Sequence, residues 1–255
     1  MKDSLSVAIP CRGSEPGLKA TLENLYEACL HQELPAGLVG ELLICINGIR
    51  LGEGCAPLAA VREFCQHWAI GIEEIWLDDR GKKESEGAKG RRSEGATKIG
   101  GEAAGSPIRR LSHAFPRCVV LLTERPGKPP AWNTLWQRAQ GTLVLFSDAD
   151  VRIDRGALYA LYTRMQREPA LDLVAAREVP FLPDGGTLWS RMGAIPYRFD
   201  FGNAGGRLLL LRKTVLPDGI PDNLLLEDAW LTVAVGRTHV AKELNAQVFF
   251  VPPVT

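Results

Sequence analysis

The sequence lacks the features that mark several common classes of protein. It carries no net charge, because 30 basic residues balance 30 acidic ones, whereas a dedicated nucleic-acid binder is expected to have a basic excess. No stretch approaches 18 consecutive apolar residues, so we predict no membrane-spanning segment. The apolar run before Pro10 is too short for a signal peptide. These features argue against nucleic acid as a partner and against a membrane-spanning chain.

Paired cysteines and clustered histidines are also missing. The six cysteines form no C-x-x-C pair and the four histidines are scattered, so the sequence indicates no zinc cluster. Several cysteines lie among apolar residues, as in the run 43–46, which is typical of reduced, buried thiols. We therefore expect a cytoplasmic protein, and a peripheral position at the inner face of a membrane remains open.

What the chain does have is a repeated alternation of strand and helix patterns. Hydrophobic residues make up 45% of the 255 positions, enough for a sizeable core. Apolar runs at 5–10 and 41–46 predict strands, the first stopped by Pro10, and each is followed by a segment of helical periodicity. This order predicts an α/β fold, with a mostly parallel, doubly wound sheet and helices on both of its faces.

One segment, at about 78–117, departs from this pattern. Between positions 80 and 117 it holds ten Lys and Arg against four Glu, with almost no large apolar residue before Leu111. Such a composition does not supply a packed core. We interpret the segment as a mobile insertion at the surface of one domain that spans residues 1–255.

The strongest local signal is Asp148-Ala149-Asp150, which directly follows the apolar strand predicted at 142–147. Ligands of open α/β sheets bind outside the carboxyl ends of the strands. Residues i and i+2 of a strand project to the same side, and two carboxylates there suit a Mg²⁺ or Mn²⁺ ion that is shared with a substrate phosphate. The alternative is a solvated turn.

Two further motifs stand at the starts of predicted helices. Glu227-Asp228 begins a helix predicted at 227–235, where acidic residues are favoured by the helix dipole; one of them could instead act as a general base. Lys128, after Gly127, could meet a phosphate or simply face solvent, and Asn133 is either a ligand contact or a polar helix position. The residues alone leave these alternatives open.

Taken in order, these elements resemble glycosyltransferase family 2. The set comprises a strand ending in Ile9-Pro10, a strand ending near Asn47-Gly48, Gly127-Lys128-x-x-Ala131-x-Asn133, Asp148-Ala149-Asp150, a glycine-rich segment before Leu208–Arg212, and Glu227-Asp228. The likeness covers the chain except for the predicted insertion. It implies a fold of the GT-A type, a mostly parallel, Rossmann-like sheet.

The resemblance also implies roles for the residues of the site. Asp148 and Asp150 would bind the ribose and the metal-bound diphosphate of a nucleotide-sugar, with Mn²⁺ or Mg²⁺ as the cation and Asp150 as its more direct ligand. Asp228 would be the catalytic base, supported by Glu227, and transfer would invert the anomeric carbon. The other residues would line or border the nucleotide: Pro10, Cys11, Arg12, Asn47, Lys128 and Asn133.

The implied partners are a UDP-, GDP- or dTDP-linked sugar and a carbohydrate or lipid-linked acceptor, as in the synthesis of cell-envelope polysaccharide. Processive members of the family carry a Gln-x-x-Arg-Trp motif beyond the last strand, often followed by membrane helices. This chain ends at Thr255, before that point, so we expect membrane contact only through further sequence or through the basic insertion.

Two alternatives remain at this point. A sugar-phosphate nucleotidyltransferase would carry a glycine-rich, basic loop directly after the first strand, of which Cys11-Arg12-Gly13-Ser14 is a partial version. A non-catalytic nucleotide-sugar-binding domain of a longer membrane protein is the second. The family usually has paired aspartates where this chain has Asn47, and its usual residues after Pro10 are replaced by Cys11-Arg12-Gly13.

Overall fold

The computed structural model describes residues 3–50, 53–77, 114–181, 191–192, 194–195, 197, 205–216, 218–224 and 226–252. In these ranges the chain forms one mixed sheet of nine strands with helices packed on it. No helix in the described ranges is both long and apolar enough to cross a membrane.

The strands follow the spatial order β3-β4-β2-β1-β5-β8-β7-β9-β6. Their bounds are β1 Leu5–Arg12, β2 Val39–Asn47, β3 Ile72–Leu77, β4 Cys118–Thr123, β5 Leu143–Ser147, β6 Arg152–Ile153, β7 Leu173–Pro180, β8 Leu208–Arg212 and β9 Val240–Phe250. The helices are α1 Leu18–Cys29, α2 Ala56–His67, α3 Lys128–Arg138, α4 Ala157–Arg167 and α5 Glu227–Val235.

The first half of the sheet is parallel. β1 lies at its centre between β2 and β5, and β4 and β3 continue it outward. Contrary to prediction, β1 does not stop at Pro10 but continues to Arg12. β5 pairs only with residues 5–8, so Pro10 lies beyond that ladder, where its missing N–H removes no bond on that side.

The second half is mixed. β8 runs antiparallel to both β5 and β7, whereas β9 is parallel to β7. The sequence did not predict β7, because its short apolar run is followed by Arg177 and Glu178 and has no clear alternation. The consequence for the site is that β7 ends, and β8 begins, at the same edge of the sheet where β1, β2, β4 and β5 end.

Both faces of the sheet are covered. One apolar cluster contains the buried faces of α1, α2 and α4, and the other contains residues of α3 and α5 such as Trp132, Trp136 and Leu231. Adjacent residues of β1 divide between the two clusters, Val7 to the first and Ala8 to the second. This arrangement confirms the predicted α/β class and the mostly parallel sheet with helices on both faces.

Most of the predicted insertion, positions 78–113, lies outside the described residues. Positions 114–117 are described and belong to the core: Ala114 and Phe115 are buried. The ring of Phe115 lies 5.9 Å from that of Tyr26 on α1. The chain therefore enters the core before β4 begins.

Candidate active site

The motifs meet at the carboxyl edge of the sheet, around a cavity of about 240 Å³. β1, β2 and β5 deliver side chains to it because parallel strands end at one edge. It is lined by Pro10, Cys11, Arg12, Glu15, Asn47, Lys128, Asp148, Ala149 and Asp150. The structure thus brings together seven of the predicted site residues.

The aspartate pair lies in a turn rather than in the strand. β5 ends at Ser147, and the turn is fastened to α1 by Thr21, whose buried hydroxyl lies 2.9 Å and 2.8 Å from the carbonyl oxygens of Ala149 and Val151. Gly17 permits this contact, because a Cβ at that position would lie 3.1 Å from the Cα of Asp150. The two carboxylates share the cavity because α1 holds the turn.

Lys128 joins the two acidic motifs. It is the first residue of α3, and its Nζ lies 2.7 Å from Asp148 Oδ1 and 2.5 Å from Glu227 Oε1. Burial opposes the charge of the ammonium, but the two carboxylates outweigh it and raise the pKa of Lys128. Lys128 therefore remains charged and holds the start of α5 beside the aspartate turn.

Asp148 is largely buried, whereas Asp150 is exposed to the cavity. Burial raises the pKa of the Asp148 carboxyl, although the charges of Lys128 and Arg207 act in the opposite direction. Within the part of the chain that the structure describes, no salt bridge reaches Asp150. Asp150 is thus the carboxylate of the pair that is available to a ligand.

The residues fit a cation only if a substrate supplies further ligands. The described ranges contain no group of three or more His, Cys, Asp or Glu side chains that could hold a metal ion. Mg²⁺ commonly takes one or two carboxylates together with phosphate oxygens. Asp150, with Asp148 beside it, suits this shared mode of binding and not a cage of protein ligands.

Asp228 lies in the first turn of α5, next to Glu227. Its Oδ1 accepts a hydrogen bond from the N–H of Ala229 at 2.8 Å. Gly206 packs against it so closely that a Cβ there would lie 3.2 Å from Asp228 Cβ. Asp228 is not among the residues that line the cavity, but it follows Glu227, which Lys128 holds there, and it packs against Gly206.

One side of the cavity is formed by the ends of β1 and β2. Asn47 is buried, and its Nδ2 donates to the carbonyl oxygen of Gly127 at 3.0 Å, which ties β2 to the start of α3. Arg12 and Asn47 also line an adjoining hollow of about 450 Å³. The thiol of Cys11 is buried, and burial raises its pKa, so it contributes shape and not a charge.

Asn133, predicted to border the nucleotide, does not line the cavity. Its Nδ2 donates to Ile220 O at 2.6 Å and to Asp222 Oδ1 at 2.8 Å, and its Oδ1 accepts from Ile220 N–H at 2.8 Å. A second side chain of α3, Trp136, donates its Nε1–H to Leu216 O. Asn133 thus fastens the segment that leads to α5.

Three charged residues of this edge were not predicted from the sequence. Glu15 lines the cavity, while Glu178, near the end of β7, and Arg207, before β8, form an ion pair of 3.6 Å. Burial raises the pKa of Glu178, against the influence of Arg207. In the sequence, only the glycines at 205 and 206 hinted at this close packing, since a Cβ at 205 would lie 2.6 Å from Glu178 Oε1.

Comparisons with known proteins bear on the family. The model for "Glycosyl transferase family 2" matches residues 103–229, a range that contains Lys128, Asp148, Asp150 and the Glu227-Asp228 pair. The resemblance predicted from the ordered motifs is confirmed. No curated protein sequence matches the chain.

Solved structures with the same fold support the GT-A assignment. The mannosyltransferase PcManGT from Pyrobaculum calidifontis, in complex with GDP-Man and Mn²⁺, superimposes with a TM-score of 0.61 at 16% identity, over 99% of this chain and 58% of that one. S. aureus TarS 1–349 with UDP-GlcNAc gives a TM-score of 0.57 at 12% identity, over 98% and 59%. The chain therefore spans less than two thirds of either protein.

Proposed function

We propose that this chain, which carries a family 2 glycosyltransferase domain, transfers a sugar from a nucleoside-diphosphate sugar to an acceptor hydroxyl with inversion, assisted by a divalent cation. One observation carries the proposal: Lys128 contacts both Asp148 and Glu227. This contact joins the acidic start of α5 to the aspartate turn of the cavity, which supports a site where a donor and an acceptor meet.

The cavity and its neighbouring hollow provide room for the donor. Arg12 and Asn47 line both spaces, so the nucleoside would lie there, with Pro10 and Cys11 beside it. The diphosphate would then lie near Lys128 and the aspartate turn. The complexes of the two structural neighbours with GDP-Man and UDP-GlcNAc support a nucleotide-sugar donor, and UDP, GDP and dTDP remain the candidate carriers.

A divalent cation, when bound, would offset negative charge on the diphosphate. Asp150, with Asp148, would hold it, as Mn²⁺ or Mg²⁺. The local charge is consistent with such a cation, because among the described residues around the site carboxylates outnumber basic side chains. The carboxylates are Glu15, Asp148, Asp150, Glu178, Glu227 and Asp228, and the basic side chains are Arg12, Lys128 and Arg207.

Asp228 would act as the general base. It takes the proton of the acceptor hydroxyl, and the acceptor oxygen forms a bond to the anomeric carbon as the bond from that carbon to the diphosphate breaks. The electron pair of the broken bond stays on the departing diphosphate. Glu227 would support the base through its ion pair with Lys128, which fixes the first turn of α5.

A carbohydrate or lipid-linked acceptor, as in cell-envelope polysaccharide synthesis, fits this reaction. So does a cytoplasmic location with peripheral contact at the inner membrane face. These details of acceptor and location form part of the proposal.

Calorimetric titration of UDP, GDP and dTDP, each with and without Mn²⁺, tests the proposal. We expect one diphosphate to bind in a Mn²⁺-dependent manner, and Asp150→Ala to weaken that binding by at least about 10-fold. Asp218→Asn, which removes an exposed carboxylate outside the cavity, is the control and should bind as wild type. Equal binding by Asp150→Ala would remove the metal site, and no binding to wild type would remove the donor class. Release of pyrophosphate from a nucleoside triphosphate would instead favour the nucleotidyltransferase.

A further inference from the structure

Arg207 lies between the donor side and the acceptor side of the site. It directly precedes β8, and its carbonyl oxygen accepts a hydrogen bond from the N–H of Asp148 at 2.9 Å. The residue before it, Gly206, packs against Asp228. Its backbone position is therefore fixed relative to both the aspartate turn and the proposed base.

The guanidinium is oriented by aromatic rings. Its Cζ lies 3.7 Å from the centroid of the Phe250 ring and 5.8 Å from that of Tyr197. An arginine that stacks on a ring keeps its N–H groups free in the plane of the guanidinium. The stacking thus fixes the direction of the donors without using them.

Among the residues that the structure describes, Arg207 uses few of its hydrogen-bond donors. A guanidinium has five N–H donors, and the described partners are Tyr197 Oη at 3.4 Å, Asp148 Oδ2 at 3.6 Å and Glu178 Oε2 at 3.6 Å. The two carboxylates lie beyond ordinary hydrogen-bond distance, and the buried Nε has no hydrogen-bond partner among the described residues. Within the described ranges, two carboxylates neutralise the charge of Arg207 but do not satisfy its N–H donors.

Lys128, on the other oxygen of Asp148, provides the contrast. Its ammonium contacts two carboxylates at 2.7 Å and 2.5 Å, so its donors are engaged closely. Arg207 keeps 20% of its side chain exposed and holds its carboxylates loosely. Of the two cations that flank Asp148, Arg207 is the one with donors to offer a ligand.

We propose that Arg207 binds the diphosphate of the donor and stabilises the charge that develops on it as the sugar leaves. This role rests on the proposed function. The planar fork of a guanidinium matches two oxygens of a phosphate. In the step concerned, the electron pair of the broken bond between the anomeric carbon and oxygen moves onto the diphosphate that Arg207 contacts, while the acceptor proton moves to Asp228.

A purely structural role makes a different prediction. If Arg207 only neutralised Asp148 and Glu178, a lysine would serve nearly as well, and its loss would affect every nucleotide alike through the fold. If it binds the diphosphate, its loss must affect diphosphates far more than monophosphates, and lysine must restore only part of the affinity.

The test measures binding of UDP, GDP, UMP and GMP, with Mn²⁺, to wild type, Arg207→Met and Arg207→Lys. Arg155→Met is the matched control, because Arg155 is an exposed arginine paired with Glu27. We expect Arg207→Met to weaken binding of the preferred diphosphate by about 10-fold or more, the loss of a charge-assisted hydrogen bond. Binding of the matching monophosphate should change by less than about 3-fold, Arg207→Lys should be intermediate, and Arg155→Met should match wild type.

Thermal unfolding of each variant reports whether it is folded, and Arg207→Lys provides the comparison if Arg207→Met is not. Wild-type affinity for the diphosphate in Arg207→Lys, or equal losses for mono- and diphosphate, would overturn the role of Arg207 while leaving the proposed function intact. Absence of diphosphate binding by wild type would instead remove the proposed function, and this role with it.

Discussion

Two largely buried carboxylates, Glu41 and Asp148, lie at opposite edges of the sheet and are held in different ways. At the amino edge, Glu41 Oε1 accepts hydrogen bonds from Ser6 Oγ at 2.6 Å and from the N–H of Gln140 at 2.7 Å, and its Oε2 accepts from Arg117 at 2.6 Å. At the carboxyl edge, the described partners of the Asp148 oxygens are two cationic side chains, Lys128 at 2.7 Å and Arg207 at 3.6 Å.

The pKa values of Glu41 and Asp148 shift in opposite directions, although burial acts to raise both. The hydrogen bonds from Ser6, Gln140 and Arg117 outweigh burial and lower the pKa of Glu41. At Asp148 burial prevails and the pKa is raised. A carboxylate that the fold satisfies completely stabilises the fold, whereas carboxylates that are left incompletely satisfied mark a place where a ligand can complete the set.

The largest effect that this comparison predicts is on catalysis at the carboxyl edge. Asp228→Asn should lower the release of nucleoside diphosphate from its sugar nucleotide by about 10²–10⁴-fold, because the general base is lost. Donor affinity and thermal stability should stay as in wild type, since Asp228 is only partly buried. Asp218→Asn is the control. Turnover at the wild-type rate by Asp228→Asn would rule out the assignment of the base.

At the amino edge, by contrast, a substitution should lower stability and leave nucleotide binding unchanged. Glu41→Ala should lower the free energy of unfolding by about 2–3 kcal/mol, because it leaves the buried hydroxyl of Ser6 and the partly buried backbone N–H of Gln140 without their acceptor. Nucleotide affinity should not change. The control, Glu63→Ala in the exposed pair with Lys19, should cost less than about 1 kcal/mol. Denaturant unfolding measures both, and equal losses would contradict the distinction.

A smaller loss of stability is expected at Asn133, which has a structural role at the carboxyl edge. Asn133→Ala should lower the free energy of unfolding by about 1–2 kcal/mol, because it removes the hydrogen bonds to Ile220. Nucleotide affinity should remain that of wild type. Gln137→Ala, one turn further along α3 and exposed, should change neither quantity. A selective loss of nucleotide affinity in Asn133→Ala would restore the role that the resemblance implies.

The smallest expected effect is at Glu178, where a substitution should raise the stability of the protein rather than lower it. Because burial raises its pKa above the ordinary 4.5, the ionised form is less favourable in the folded state than in the unfolded one, and wild type loses stability as pH rises through the folded pKa. Glu178→Gln should therefore stabilise the protein at neutral pH, by up to about 1 kcal/mol. That gain should disappear well below pH 4.5.

A pH series of denaturant unfolding curves distinguishes the contribution of Glu41 to stability from that of Glu178. For Glu41 the folded pKa lies below 4.5, so its stabilising contribution is present above that pH and is lost as pH falls through the folded pKa. The destabilisation of Glu41→Gln should accordingly shrink in acid. The comparison fails if Glu41→Gln and Glu178→Gln change stability in the same direction at neutral pH.

Much of the fold followed from the sequence, because buried parallel strands are apolar on both faces and helices show their own period. β2 and β5 were predicted on this basis. β7 was not, since its run is short and ends in charged residues. The true end of β1 was missed because whether Pro10 is tolerated depends on where its neighbour β5 stops pairing.

The site could be predicted only in part. The placement of Asp148 at the carboxyl edge was predicted from the strand before it, whereas the resemblance implied that Arg12 and Asn47 would lie there too. All three line one cavity. Asn133 was expected with them, but a position on a helix does not reveal which neighbour its side chain will contact. The resemblance placed it at the nucleotide, and the structure shows it bonded to Ile220.

The sequence by itself determined the α/β class, the order of the motifs and the position of the aspartate pair after a buried strand, because each depends on residues that are close along the chain. Only the tertiary structure decided that Lys128 joins Asp148 to Glu227 and that Arg207 lies between Asp148 and Glu178. Those contacts arise from antiparallel pairing of β8 with β5 and β7 and from the packing of α5, which bring distant residues together in ways that local periodicity does not encode.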